Sequence, residues 1–365
     1  MKVAIKNFKS FDHLELELGR VNIIIGPPDS GKSNFLEALE TFGYSMKIFI
    51  ERSLGLIDDE RIGPLSNYVR LSVCEDLVTE SKTVSPILRI GEAQLEIRCE
   101  GPDKATLILS NNGKSASAKV QLFLQEPKLP PNLTPEVALL SIINWLSTLK
   151  SSFRVEVKGS VEMEEVQVPR LYSFDRMFVF QNIIKGNIVS RLPPYPHEKG
   201  INLAWQLYTK KDVLNETNTI LKSLSDLSAI PSPSGLEFLK ESKGIPAPLV
   251  SDTILRIVYF TVALLGNSKT TKIKPVVMLE EPECHMSPIS HEKIAELVLK
   301  SIDKGNSVIL TTHDPILASR IYEKTDARVF YFWKEGIYTR ACEVEEPELF
   351  SDMIEGVVTP CRGSS

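Results

Sequence analysis

The stretch that decides the fold spans residues 21–39, VNIIIGPPDSGKSNFLEAL. Within it, residues 26–33 fit the pattern G-x-x-x-x-G-K-[ST]. An apolar run precedes the pattern, as expected of a buried parallel strand, and apolar residues with helical spacing follow it. The order of strand, glycine-rich loop and helix predicts a P-loop that binds nucleotide phosphates.

Each position of this loop has an expected task. The two glycines let the backbone curl so that its N–H groups point at phosphate oxygens, and the following helix adds the positive end of its dipole. We expect Lys32 to lie in a solvated loop and to reach the β- and γ-phosphates, and the Ser33 hydroxyl to bind Mg²⁺. The predicted nucleotide-binding residues of the loop are Gly26, Pro27, Pro28, Asp29, Ser30, Gly31, Lys32, Ser33 and Asn34.

Composition sets the class of the protein. The chain has 365 residues, enough for one large domain or two to three smaller ones, and 42% of them are hydrophobic and 24% charged. No apolar run reaches the ~18 residues of a membrane span, and the N-terminus turns polar too early for a signal peptide. The net charge of −5 argues against a surface coated by nucleic acid, but not against a local basic patch. We therefore expect a cytoplasmic protein with no membrane partner.

The five cysteines are odd in number and form no C-x-x-C pair. This pattern predicts free thiols in a reducing compartment rather than disulfides or a zinc site.

Hydrophobic periodicity outlines the remaining elements. Residues 1–8 and 13–18 alternate as a hairpin of two strands, and alternation returns in short strands between residues 67 and 125. Helical patterns cover residues 136–149, 201–228 and 249–265, and a turn-rich linker is predicted at residues 230–235. The short strands predicted between residues 67 and 172 are residues 68–73, 87–90, 94–98, 106–109, 153–157 and 166–172.

A second buried strand is predicted at residues 275–279, and it ends in the sequence EEPE at residues 280–283. Ligands bind at the carboxyl ends of parallel strands, and buried carboxylates favour a nearby cation. We expect Glu280 in the Mg²⁺ shell, through water, and Glu281 to orient or activate the attacking water. The alternative is a solvated acidic turn.

A further helix over residues 288–303 and a strand over residues 307–310 lead to TTHDP at residues 311–315. A histidine at the end of such a strand can hydrogen-bond the γ-phosphate or its attacking water. His313 is therefore the second candidate catalytic residue beside Glu281. Taken alone, a histidine in this position is more often structural.

The order of these motifs resembles the ABC-type ATPases of the SMC and RecF group, and in particular the short AAA_21-type (OLD-like) ATP-binding proteins without coiled-coil arms. The similar segments are IKNFKSF at residues 5–11, the P-loop, EEPECHMSP at residues 280–288 and TTHDP. The family's dimer signature is similar to SDTILR at residues 251–256. The resemblance implies that ATP lies between two chains, with Ser251 and Asp252 acting in trans, and that Gln181 is the best match to the Q-loop glutamine.

Three departures from the family pattern affect these expectations. Glu280 replaces the usual aspartate and is one methylene longer, which alters the Mg²⁺ geometry. Thr253 replaces the glycine that allows close approach to the partner's γ-phosphate, so ATP-driven dimerisation is expected to weaken. Pro28 and Asp29 replace the usual Asn-Gly and stiffen the loop.

The predicted fold class is α/β, a P-loop NTPase with an ABC/SMC-head-like core, an antiparallel β-rich insertion and a small helical lobe. The predicted domains are residues 1–66, the N-terminal part of the core with the P-loop; 67–170, the insertion with one helix; 171–186, a candidate Q-loop segment; 187–255, the helical lobe with the degenerate signature; and 256–361, the C-terminal part of the core with the Walker B strand and His313.

The resemblance implies an ATPase that binds and slowly hydrolyses ATP with Mg²⁺ as an ATP-dependent homodimer. Its process would be DNA repair, chromosome maintenance or defence, with DNA or a separate nuclease or effector subunit as further partner. The alternative is a non-hydrolysing, ATP-gated scaffold, which the substitutions at Glu280 and Thr253 favour and the intact Glu281 disfavours.

Overall fold

The structure is a computed structural model that describes residues 1–51, 64–78, 84–122, 155–161, 163, 166–174, 179, 182–183, 195–232, 235–267, 273–344, 350–357 and 360. The chain divides into two compact units. The first contains residues 1–2, 16–36 and 164–365, and the second contains residues 3–15 and 37–163. In the described residues, no helix is long and apolar enough to cross a membrane.

The described strands are β1 (Lys2–Phe8), β2 (Phe11–Glu17), β3 (Val21–Ile25), β4 (Ile87–Ile90), β5 (Ala93–Gly101), β6 (Lys104–Asn111), β7 (Lys114–Gln121), β8 (Glu156–Gly159), β9 (Val166–Tyr172), β10 (Ser228–Ser232), β11 (Gly235–Lys240), β12 (Lys243–Pro246), β13 (Ile273–Glu280), β14 (Ser307–Thr311), β15 (Arg328–Glu335) and β16 (Tyr338–Val344). The described α-helices are α1 (Lys32–Met46), α2 (Leu203–Thr209), α3 (Lys211–Ser225), α4 (Asp252–Gly266), α5 (Pro288–Asp303), α6 (Pro315–Lys324) and α7 (Phe350–Ile354).

The first unit is built on a six-stranded sheet in the order β16-β15-β3-β14-β13-β9. Every neighbouring pair is parallel except β15 and β16, which form a hairpin. All five residues of β3 are buried, as its apolar sequence predicts. Because β3, β14 and β13 are neighbours, the P-loop, the TTHDP segment and the EEPE segment all leave the same edge of the sheet.

Helices complete this unit. From Ile254 to Gly266 every residue of α4 is buried, and the helix contacts α3 and α5. The predicted helix over residues 288–303 is confirmed as α5, and the predicted helix after the P-loop is confirmed as α1. The predicted parallel strands around the P-loop are confirmed as β3, β13 and β14.

The turn-rich linker predicted at residues 230–235 is wrong. Residues 228–232 form β10, which pairs with β11 and, through it, β12 in a small antiparallel sheet. Pro231 is tolerated because β10 is an edge strand, where a missing N–H breaks no ladder.

The second unit carries a seven-stranded sheet in the order β2-β1-β4-β5-β6-β7-β8. The predicted strands at residues 87–90, 94–98 and 106–109 are confirmed within β4, β5 and β6. The strand predicted at residues 68–73 is wrong, since these residues form turns and bends and belong to none of the described strands. Tyr68 instead packs its ring against Tyr44 and beneath the ammonium of Lys47.

The prediction of free thiols is also wrong. Cys74 and Cys99 form a disulfide within the second unit, and Cys342 of β16 is disulfide-bonded as well. Among the described residues, Cys284 is the free cysteine. Cys74 and Cys99 lie 25 positions apart, in no recognisable motif, so their spacing gave no sign of the pairing. The predicted helix over residues 136–149 and the candidate Gln181 lie outside the described residues.

Candidate nucleotide-binding site

The backbone of the P-loop adopts conformations that only glycine accepts readily. Gly26 has φ 144° and Gly31 has φ 96°. A Cβ atom on Gly26 would lie 2.2 Å from the carbonyl oxygen of Phe332, and one on Gly31 would lie 2.1 Å from Oγ1 of Thr339. The β15–β16 hairpin therefore packs directly against the loop and fixes its shape.

Lys32 lies inside this loop and not in solvent, so the prediction of a solvated lysine is wrong. Its Nζ donates hydrogen bonds to the carbonyl oxygens of Gly26 and Pro27, both at 2.9 Å, and to Oγ of Ser30 at 3.2 Å. The residue is 5% exposed, and burial lowers the pKa of its ammonium to about 8. Lys32 thus links the end of the loop to its beginning through hydrogen bonds, and it also gives the loop a positive charge.

The loop ends where α1 begins. The N–H of Phe35 donates to the carbonyl oxygen of Gly31 at 3.0 Å, and the first turn of α1 contains no acidic residue. Ser33 and Asn34 are half-buried in that turn, whereas Pro28 and Asp29 are exposed at the loop tip. The first turn of a helix presents unpaired N–H groups and a positive dipole end, which suits an anion such as phosphate.

The EEPE segment leaves β13 at the same edge of the sheet. Glu280 is the last residue of β13 and pairs in register with Thr311 of β14. The next residue, Glu281, has φ 43°, and its N–H donates to the carbonyl oxygen of Thr311 at 3.1 Å. This turn directs the chain away from the sheet immediately after the strand.

The structure brings the two candidate catalytic residues together. Oε1 of Glu281 lies 3.4 Å from Nε2 of His313, and both side chains are about one-third exposed. His313 holds the pKa of the Glu281 carboxyl below its usual value. The Cys284 thiol also donates to Oε2 of Glu281, at 3.5 Å. An ionised, partly solvated carboxylate with a fixed histidine beside it can orient a water molecule.

Two further acidic residues, Glu283 and Asp314, shape this site, and the sequence motifs predicted a role for neither. Oε1 of Glu283 accepts hydrogen bonds from the N–H of His313 and from the hydroxyl of Thr312, both at 2.8 Å. Asp314 caps α6 by accepting from the N–H of Ile316 at 2.7 Å, and its Oδ2 lies 2.6 Å from Nδ1 of His291. The third glutamate of the EEPE segment, Glu283, was visible in the sequence, but the residues that it contacts are distant in sequence.

The candidate signature segment opens α4. Ser251 is exposed at the N-cap, and Asp252 forms an ion pair with Arg256 at 2.8 Å. The Arg256 guanidinium stacks over the ring of Phe174, 4.4 Å from its centroid. The hydroxyl of Thr253 donates to the carbonyl oxygen of His285 at 3.1 Å, which places the start of α4 beside the segment that follows Glu283.

Comparisons with known proteins find two family models that match parts of the chain. The model of the AAA ATPase domain family matches residues 1–137, and that of the family described as AAA domain, putative AbiEii toxin, Type IV TA system matches residues 178–319. Parts of the chain are thus similar to two AAA ATPase domain families, and neither model covers half of the chain. A search of curated proteins finds no match to this chain.

Solved structures show the fold of this chain. It resembles the crystal structure of an SmcHead bound to the C-winged helix domain of ScpA, with 13% identity, a TM-score of 0.50, and coverage of 94% of this chain and 97% of that one. It also matches the SMC head domain from Thermotoga maritima, with 14% identity, a TM-score of 0.40, and coverage of 94% and 98%. At this identity the first likeness identifies the fold and nothing finer.

The loop and the residues beside it suit a nucleotide phosphate. The loop that Gly26 and Gly31 permit is closed by the ammonium of Lys32, which supplies the positive charge that phosphates require. Within the described residues, no group of three or more His, Cys, Asp or Glu side chains is arranged to hold a metal ion. A magnesium ion here would therefore depend on the Ser33 hydroxyl, Glu280 and phosphate oxygens, as in other P-loop sites.

Proposed function

We propose that this ATPase binds ATP at the P-loop and hydrolyses it slowly, with Glu281 and His313 as its catalytic residues. The observation that carries the proposal is the 3.4 Å contact between Oε1 of Glu281 and Nε2 of His313. The pair lies at the edge of the sheet from which the P-loop also leaves. A nucleotide held by the loop would present its γ-phosphate toward these side chains.

The proposed reaction is in-line attack of water on the γ-phosphorus, with ADP as the leaving group. The Glu281 carboxylate is ionised at neutral pH, so it accepts a hydrogen bond from the attacking water and takes up its proton. His313 turns its N–H from Glu281 to the γ-phosphate when nucleotide binds, while Lys32 moves from the loop carbonyls to the β- and γ-phosphates. Magnesium, bound through Ser33 and Glu280, would neutralise phosphate charge.

Phosphate release by wild type and by Glu281→Gln tests this proposal. The substitution keeps the size of the side chain but removes its negative charge, so ATP binding should survive while turnover falls by about 10²-fold. Calorimetry with ATP and Mg²⁺ measures binding on the same samples. Equal turnover in the two proteins would overturn the assignment of Glu281, and absent turnover in wild type would leave the non-hydrolysing scaffold as the function.

We also infer that ATP drives two copies together, with Ser251 and Asp252 of one chain completing the site of the other. The exposed position of Ser251 at the start of α4 supports this arrangement. Glu281→Gln with ATP should then run as a dimer in light scattering, and adding Ser251→Arg should return it to monomer with little loss of ATP affinity. A Glu281→Gln protein that binds ATP tightly yet stays monomeric at tens of micromolar would refute the shared site.

One observation favours the scaffold alternative. Thr253 stands where the family has glycine, and its hydroxyl is bonded to His285 of its own chain. If that hydrogen bond keeps the signature segment away from the nucleotide bound to a second chain, ATP would change the conformation of the protein without being hydrolysed efficiently. Thr253→Gly should then raise phosphate release and strengthen ATP-dependent dimerisation.

The partners in the cell belong to the same proposal. One similar structure is an SmcHead bound to a domain of ScpA, and by analogy we propose a protein effector, such as a separate nuclease subunit, or DNA as the partner of this ATPase. A cytoplasmic location remains our prediction.

A further inference from the structure

The carboxylate of Glu283 connects two segments that carry the candidate catalytic residues. It lies two positions after Glu281, and its Oε1 accepts hydrogen bonds from the N–H of His313 and the hydroxyl of Thr312, both at 2.8 Å. A single oxygen atom therefore ties the turn after β13 to the turn after β14. Hydrogen bonds to a charged acceptor are stronger than those between neutral groups.

Packing alone does not explain a carboxylate at this position. Oε2 of Glu283 is buried and has no hydrogen-bond partner within the described part of the chain, and burial raises the pKa of the group. A half-satisfied buried carboxylate costs stability, whereas an apolar side chain of similar volume would fill the space without that cost. The stability that the buried Glu283 carboxylate costs the fold is consistent with a role of this side chain in positioning its hydrogen-bond donors.

The loop that Glu283 holds is supported from its other side as well. The Thr312 hydroxyl accepts from the N–H of Asp314 at 2.9 Å, and Asp314 contacts His291 of α5. His313 lies between these two supports. Loss of Glu283 would remove the support on the side of Glu281 and leave the other intact.

We propose that Glu283 is a positioning residue, which fixes the backbone amide of His313 and thereby sets the contact of His313 with Glu281. The inference rests on the proposed function for its catalytic consequence, because His313 is assigned there to the γ-phosphate. Its structural content, the bond between Glu283 and the His313 amide, does not depend on hydrolysis.

The kinetic test compares Glu283→Ala, Glu283→Gln and a control, Glu296→Ala. The amide oxygen of glutamine can accept the same two hydrogen bonds, so Glu283→Gln should retain at least about a third of wild-type kcat, while Glu283→Ala should lose roughly tenfold with KM for ATP little changed. Glu296 pairs with Lys293 on the surface of α5, so its loss removes a similar charge away from the site. Wild-type kcat in Glu283→Ala, or equal losses in the alanine and glutamine variants, would overturn the proposal.

A double-mutant cycle with His313→Ala separates positioning from general damage. If Glu283 acts through His313, Glu283→Ala should lower kcat by less than about twofold when His313 is already alanine. An undiminished tenfold loss in that background would show that Glu283 acts independently of His313 and would overturn the proposal.

Selective ¹⁵N-histidine labelling tests the bond itself without hydrolysis. The chain has five histidines, and the amide peak that His313→Ala removes identifies residue 313. In Glu283→Ala this peak should move upfield and exchange faster with solvent, and Glu283→Gln should restore it. An unmoved peak in the alanine variant would overturn the positioning role, whereas absent phosphate release in wild type would overturn the proposed function alone.

Discussion

The ammonium of Lys32 lies 2.9 Å from the carbonyl oxygen of Gly26, six positions earlier in the chain. The same ammonium donates hydrogen bonds to the carbonyl oxygen of Pro27 and the hydroxyl of Ser30, so the lysine closes the loop in which it lies. A buried ammonium is stable only when such acceptors surround it. A phosphate group placed in the loop would compete for this ammonium with a full negative charge.

Lys32→Ala tests the role of the lysine charge in the loop. Loss of the charge should lower ATP affinity at least a hundredfold, measured by calorimetry, because the β- and γ-phosphates lose their cation. The loop carbonyls of Gly26 and Pro27 can turn to water, so circular dichroism should show an intact fold. The control is Lys324→Ala, which should bind ATP normally. Lys324 lies on α6 and pairs with Glu292 of α5. Wild-type affinity in Lys32→Ala would refute the P-loop assignment.

A pair of glycine substitutions separates close packing from backbone strain. Gly31 and Gly336 both have positive φ, but a Cβ on Gly31 would meet Thr339 at 2.1 Å whereas one on Gly336 meets nothing within 4 Å. Gly336→Ala should cost about 1 kcal/mol of stability and leave ATP binding unchanged. Gly31→Ala should distort the loop and abolish binding in calorimetry. Equal effects of the two would mean that the hairpin does not shape the loop.

Removal of the Ser33 hydroxyl should uncouple ATP binding from magnesium. In wild type, we expect EDTA to weaken ATP binding, because the ion bridges the loop and the phosphates. Ser33→Ala should bind ATP about as weakly with Mg²⁺ as without it, whereas Ser225→Ala, whose hydroxyl bonds only within α3, should behave as wild type. Full magnesium-dependent turnover in Ser33→Ala would contradict the predicted ligand.

The disulfide between Cys74 and Cys99 predicts a stability difference. It closes a loop of 25 positions, and the loss of such a crosslink costs about 3 kcal/mol of unfolding free energy. Cys99→Ser should therefore unfold at a lower guanidinium concentration than wild type when both proteins are kept without reductant. Full reaction of Cys74 and Cys99 with a thiol reagent in denatured, unreduced wild type would show that the bond does not form.

The sequence predicted those parts of the molecule whose requirements are local. The P-loop is recognisable because contiguous residues must combine a buried strand, glycines with positive φ and a helix start, and each requirement selects its residue type. The same holds for α5, whose predicted range agrees with the structure, and for β13 and β14, whose apolar runs are fully buried. The position of Glu281 and His313 at the carboxyl ends of two strands also followed from the sequence, whereas their contact is seen only in the structure.

Local patterns misled where tertiary contacts override them. Alternation favoured a strand at residues 68–73, but these residues form turns and bends. The prolines and serines of residues 230–235 indicated a linker, yet residues 228–232 form an edge strand that pairs with β11. The charge of Lys32 suggested solvent exposure, and only the three acceptors of the folded loop make its burial tolerable.

The sequence alone therefore determined the α/β class, the glycine-rich loop between β3 and α1, and the strands that lead to Glu281 and His313. Only the tertiary structure decided that Glu283 holds the His313 amide across 30 positions, that Asp314 meets His291, and that Cys74 pairs with Cys99. Positive glycine φ angles, burial patterns and helix starts depend on residues that are neighbours in the chain, so they can be recognised in the sequence. A side-chain contact between distant segments depends on how those segments pack in the folded chain, and no single stretch of sequence specifies that packing.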